Sequence, residues 1–169
     1  MAHFPFQTLR IRIFVLISFL LIISPGCSSH GSHGPRRYKA AGFSVQIPEG
    51  WNARLEWGVF GNILSAADPA TKASVNFTRI EITKQNSMED VMEATLKQLG
   101  MSLEAKGSTT IVWHKTLWFK ASRSNQIVLE YMILKENQVF TITAMTFSEN
   151  YERYEKTFKE IVDSFRWER

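Results

Sequence analysis

The segment Gln126–Lys135 constrains the fold more than any other part of the chain, because apolar side chains occupy both of its alternating faces. Ile127, Leu129, Tyr131 and Ile133 fall on one face, and Val128, Met132 and Leu134 on the other. Successive side chains of a strand point to opposite sides of its sheet, so a strand of this kind needs apolar cover above and below it. A second run, Gln138–Phe147, follows after Glu136-Asn137. Asparagine tolerates the positive φ of a two-residue turn, and the spacing therefore predicts a hairpin in the middle of a sheet with helices on both sides.

The flanking segments supply matching parts. Phe43, Val45 and Ile47 alternate with Ser44 and Gln46 and predict a half-buried strand ended by Pro48-Glu49-Gly50 before Trp51. Ala53, Leu55 and Trp57 predict a second strand. The run Asn62–Ala67, stopped at Asp68-Pro69, predicts a third, and residues 73–83 a fourth, together an antiparallel meander. Ser87 stands at a helix cap ahead of Glu89 and Asp90, with Met88, Val91, Met92, Thr95, Leu96 and Leu99 on one stripe and Gly100 as the stop. Residues 111–113 and 116–122 read as short strands, with Lys106-Gly107-Ser108 as a turn. Ser148 caps a last helix striped by Tyr151, Tyr154, Phe158, Ile161, Val162 and Phe165.

The N-terminus carries different information. Arg10 and Arg12 precede an apolar stretch over 13–23, and Ser24-Pro25-Gly26-Cys27 closes it. This is the basic, apolar, small-residue order of a signal peptide. Eleven helical residues reach only about 16 Å, against a hydrocarbon core of roughly 30 Å, so a permanent span is disfavoured. The ending resembles a lipobox, which implies lipidation of Cys27. Ser24 and Pro25 depart from the usual pattern, and ordinary cleavage after Gly26 is the alternative, leaving a secreted domain with one thiol that has no partner to make it reactive. Ser28, where an aspartate is absent, resembles lipoproteins sorted to the outer membrane. The expected location is thus an exported, membrane-anchored state on the periplasmic face of the outer membrane.

Residues 28–39 change to Ser, Gly, His, Pro and basic residues without apolar periodicity, the composition of a flexible tether. Twelve such residues have an end-to-end distance of about 20 Å. His30 and His33 are too few to preorganise a metal site. Arg36, Arg37 and Lys39 are available to anionic headgroups, at about 1 kcal/mol each near a charged surface. The division is 1–26 signal peptide, 27–39 lipidated cysteine and tether, and 40–169 folded domain.

The domain needs no staple. A single cysteine excludes an internal disulfide, and the residues after position 26 suffice for a core. Loss of the signal removes Arg10 and Arg12 from the 20 basic residues and none of the 16 acidic ones, so the net charge falls from +4 to +2. That excess is too small and too dispersed for nucleic-acid binding.

The order of strands, helix, strands and helix is that of an α+β domain. Gly42-Phe43-Ser44-Val45-Gln46-Ile47-Pro48-Glu49-Gly50-Trp51 resembles the opening strand and Pro-x-x-Trp turn of PsbP-like and DcrB-like domains. Residues 158–165, ending Ile161-Val162-Asp163-Ser164-Phe165, resemble their closing helix. The resemblance covers roughly 42–167. It implies an antiparallel sheet of about six strands flanked by helices, an α/β/α sandwich, and a non-enzymatic protein. Such domains occur as extrinsic photosystem subunits, envelope lipoproteins and secretion adaptors.

Chemistry is sparse. After the tether there is one histidine, His114, and no cysteine, and neither His-x-x-x-His nor paired cysteines occur, so no catalytic residue, metal site or cofactor is expected. Glu89, Asp90 and Glu93 suit a helix N-terminus. Trp51, Trp57 and Trp167 have positions at core edges, whereas Trp113 and Trp118, around His114, are harder to place inside. These three residues, Trp113, His114 and Trp118, form the candidate partner surface. The function expected first is a lipid-anchored accessory or binding module for a membrane complex or envelope protein. A carrier or adaptor for a hydrophobic ligand or peptide comes second, and a hydrolase centred on His114 last.

Overall fold

The computed structural model describes residues 34–40, 42–55, 62–82 and 87–168. Cys27, His30, His33 and Trp57 lie outside them. In chain order the elements are β1 (Arg36–Ala40), β2 (Phe43–Ile47), β3 (Asn52–Leu55), β4 (Asn62–Ala67), β5 (Ser74–Glu81), α1 (Met88–Leu99), β6 (Ser102–Ile111), β7 (His114–Arg123), β8 (Gln126–Lys135) and β9 (Gln138–Phe147). A 3-10 turn (Ser148–Asn150), α2 (Tyr151–Asp163) and β10 (Arg166–Trp167) complete the chain. Neither helix is long and apolar enough to cross a membrane.

Seven strands form an antiparallel sheet in the order β3-β4-β5-β9-β8-β7-β6, and β1-β2-β10 form a small second sheet. The two-faced hairpin does take the middle. Leu129 and Ile133 of β8 and Phe140, Ile142 and Ala144 of β9 join an apolar layer with β2 and α2, which contributes Tyr154, Phe158, Ile161 and Val162. Met132 and Val139, pointing the other way, join Met88, Val91 and Met92 of α1 over Leu117, Phe119 and Ala121 of β7. The described residues therefore form an α+β fold, with two helices and mostly sheet.

Local rules fix the helix ends. Ser87 accepts from the Asp90 amide, and the Asp90 carboxylate accepts in return from the Ser87 amide at 2.7 Å, a reciprocal box worth about 1 kcal/mol. Gly100 stops α1 with φ of 61°, a conformation that costs glycine nothing.

Several expectations need correction. The large sheet has seven strands where about six were expected, and three further strands among the described residues form a second, small sheet. Residues 36–39, assigned to the tether, belong to β1, whose backbone pairs with β2 from Arg36↔Ile47 to Ala40↔Phe43; main-chain pairing leaves little apolar signature in a strand of basic residues. The meander is only β3-β4-β5, since β2 leaves it for the small sheet. Ser148 opens a 3-10 turn, and α2 begins at Tyr151 with no side-chain cap at Asn150. In the β8–β9 turn the positive φ falls on Glu136 (57°).

The largest correction concerns β6 and β7. Lys106-Gly107-Ser108 is no turn but the middle of a ten-residue strand, with Gly107 opposite Trp118. Gly107 is required there by a neighbour, since a Cβ at this position would lie 2.8 Å from Trp118 Nε1 and 2.9 Å from Cε2. Gly107→Ala should lower stability by about 1–3 kcal/mol through overpacking against the indole, measured by denaturant unfolding. An unchanged midpoint would mean that Trp118 moves aside freely.

Candidate functional site

The β6–β7 hairpin sets the geometry of the predicted partner surface. Ile111 pairs with His114, so Val112 and Trp113 are the two turn residues. Both have positive φ, 46° and 68°. A turn of this type normally uses Asn-Gly, and left-handed backbone costs about 1–3 kcal/mol for each non-glycine residue. Val112 is β-branched, where the cost is greatest. This strain puts Trp113 at the apex, where its side chain is 95% exposed.

The three predicted residues differ in exposure. His114 is half-buried, its ring edge-on to Trp167 at 5.7 Å, and its carbonyl accepts from Thr116 Oγ1 at 3.1 Å. Trp118 is half-buried over Gly107 and packs on the layer that contains Phe77 and Ile142. Trp167 itself is held between Phe140 and Phe165, at 5.5 and 4.9 Å, with the Lys135 ammonium 4.2 Å above its ring. Trp113 alone faces solvent fully.

A second site lies where β2 ends and β4 turns. Pro48, Glu49, Gly50, Trp51, Asp68, Arg153, Tyr154 and Thr157 line a cleft of about 290 Å³. Tyr154 donates its hydroxyl to Asp68 and accepts from Thr71 Oγ1 at 2.7 Å. That hydroxyl, with the Ala70 amide at 2.8 Å, holds the Asp68 carboxyl below its usual range against partial desolvation. Tyr154 is pushed up, first by burial and then by Asp68. Asp68 and Tyr154 are thereby engaged with each other in closing the turn after β4.

Glu130 is the ionisable group that sequence reasoning missed. It is 4% exposed on the α1 side of β8, and its single hydrogen bond is donated by Thr143 Oγ1 on β9, at 3.2 Å. Burial pushes its carboxyl up to about 7, with the Thr143 bond acting in the opposite sense. The signal was present in the sequence as one acid between Val128 and Met132 in an otherwise apolar run. Among the described residues no three His, Cys, Asp or Glu side chains converge as metal ligands. His114 at the apex, Asp68 at the cleft and Glu130 under α1 occupy three different places.

No protein-family model matches the chain, and no curated protein matches it. Solved structures do match. The cyanobacterial PsbP protein CyanoP from Synechocystis superposes with a TM-score of 0.64 at 13% identity, over 85% of this chain and 98% of that one. The fold is PsbP-like. LpqN, which is involved in cell envelope biogenesis of Mycobacterium tuberculosis, superposes with a TM-score of 0.58 at 13% identity, over 80% of this chain and 86% of its own. At such identities the likeness is one of backbone, and the site has to be argued from the residues of this PsbP-like domain.

The buried acid gives the domain a defined pH dependence. The native Glu130 binds its proton more tightly than the usual value of 4.5, so its share of stability is complete below that value and is lost as pH rises through about 7. The difference corresponds to about 3 kcal/mol. Glu130→Gln keeps a partner for Thr143 without the charge. Unfolding at pH 8.5 should show the variant more stable by about that amount, with the two proteins converging at pH 4. Parallel stability curves across this range would show that Glu130 is solvated.

Proposed function

We propose that this protein is an exported, lipid-anchored envelope protein whose PsbP-like domain, a sheet clasped between helices, serves as a non-catalytic accessory or binding module for a membrane complex or an envelope protein. Cys27 carries the lipid, and residues 28–35 hold the domain near the bilayer on the periplasmic face of the outer membrane. The observation that carries the non-catalytic reading is the separation of His114, Asp68 and Glu130, each engaged with local structure. General acid–base or nucleophilic catalysis needs such groups to converge on one reacting atom. The signal-like order of residues 10–27 supports export. The role of LpqN in envelope biogenesis is consistent with the same setting.

The carrier reading is weaker, because the space between the large sheet and its cover is filled. Phe43, Phe77, Phe140 and Phe165 pack ring to ring at 4.8–6.4 Å, leaving no room for a lipid chain to enter without unpacking the core.

Expression in a two-membrane bacterium, beside Cys27→Ser, tests the anchor. The wild type should fractionate with membranes and show the intact mass of a chain beginning at a triacylated Cys27, and the variant should lose both. A soluble wild type of unmodified mass would overturn the proposal.

A further inference from the structure

Trp113 is exposed for a structural reason. Ile111 and Val112 pack on the apolar layer under the hairpin, and His114 rests on Trp167. The turn is thus pinned on both sides, and the indole projects from a fixed frame. Its setting is unlike the centre of a protein interface, where an aromatic anchor is ringed by contacts that exclude water. Here the neighbours are exposed Thr109, Thr110 and Lys115. A bilayer boundary, in contrast, accommodates a single protruding indole, with its ring at the acyl margin and its N–H among headgroups and water.

We propose that Trp113 is a second point of membrane contact, seated in the headgroup–acyl boundary of the bilayer to which the chain is tethered and orienting the domain with the β6–β7 apex towards it. This rests on the lipid-anchored reading above. Charge adds little to the contact: Arg37, Lys39, Lys115, Lys135 and Arg166 at this end exceed Glu81, Glu136 and Glu168 by two, and Lys39 already pairs with Glu168 at 3.3 Å. A zwitterionic bilayer is therefore sufficient.

The tether has the necessary reach. The chain enters β1 at Arg36, beside Ile47, whereas Ala40 pairs with Phe43, Phe43 with Trp167, and Trp167 touches His114 at the apex. The apex lies beyond the far end of β1, about 13 Å along that strand. The nine residues from Cys27 to Arg36 can span up to about 30 Å. One indole binds weakly, but a tether of this length makes its encounter with the bilayer intramolecular, at an effective concentration on the order of millimolar. The contact belongs to the anchored protein and should be faint in a free one.

Lipidated protein in phosphatidylcholine vesicles containing lipids brominated on their acyl chains provides the test. All five tryptophans follow Cys27, so quenching of one indole in five should remove up to about one fifth of the emission, and Trp113→Phe should abolish that loss. Trp113→Asn, which suits positive φ, should abolish it too while melting no lower than the parent. Equal quenching in parent and variants overturns the inference. Repeating the measurement on Cys27→Ser protein, held to vesicles by an N-terminal hexahistidine tag on nickel-chelating lipid, separates the two readings. Quenching by Trp113 in this form supports the apex contact even if native lipidation fails, and its absence overturns the contact even if lipidation is found.

Discussion

Phe43 occupies the point where three segments meet. Its ring lies 4.8 Å from Phe140 in the large sheet, 5.4 Å from Phe77 beside it, and 5.4 Å from Phe165 just after α2. The small sheet shares no ladder with the large one, so this aromatic layer is what joins them, each buried ring contributing about 1.5–3 kcal/mol. Hydrogen bonds then set the fit: the Gln46 amide donates to Ser164 Oγ at 2.8 Å, and the Glu168 amide to the Gly42 carbonyl at 2.9 Å. The arrangement extends outward through Trp167, which pairs with Phe43 on one side and supports His114 on the other. The position of the exposed apex is therefore inherited from the core.

The edge strand that carries the apex is itself poorly suited to recruiting another strand. β6 is exposed along most of its length, but it carries Glu104 and Lys106 and an irregularity between Leu103 and Ala105. Charges and bulges of this kind blunt a sheet edge against pairing. Lys120 of β7 reaches Glu104 at 3.2 Å and also covers the Tyr151 ring at 4.1 Å, tying the edge back to α2. With the edge protected in this way, the strained apex is the feature of the hairpin that lacks a role inside the domain.

What could be read from the sequence follows the strength of each physical signal. The β8–β9 hairpin and the α1 boundaries were legible because two-sided burial and a capping box leave marks at fixed spacing. β1 was hidden because pairing of basic residues through their main chain has no apolar period. Gly107 was misread as a turn because glycine marks both turns and close approaches, and only the Trp118 indole across the ladder distinguishes them. At the site, the exposure of Trp113 was legible as an aromatic without an obvious core position. The separation of Trp113 from His114 and Trp118 was not: alternation puts His114 and Trp118 on one face of β7, and only their packing on Trp167 and the apolar layer sets them apart from the indole at the turn. Glu130 was visible as an acid among apolar residues, but its burial comes from tertiary packing on that face of the sheet, which the alternation of one strand does not show.

The motif that reveals the family likeness also explains why the likeness stops at the fold. In Pro48-Glu49-Gly50-Trp51 the Trp51 amide donates to the Pro48 carbonyl at 3.4 Å, and the indole lies edge-on to Tyr154 and Phe158 of α2 at 6.0 and 6.4 Å. Tyr154 in turn closes the Asp68 turn after β4. The motif fastens the end of β2, the β4–β5 turn and α2 into one corner, a task any domain of this architecture has to perform whatever it binds. Residues that could distinguish one such protein from another must lie where the corner and the aromatic layer impose nothing. Trp113 is such a residue: asparagine or glycine in its place would relieve backbone strain and disturb no packed neighbour, so nothing inside the domain calls for an indole at the apex.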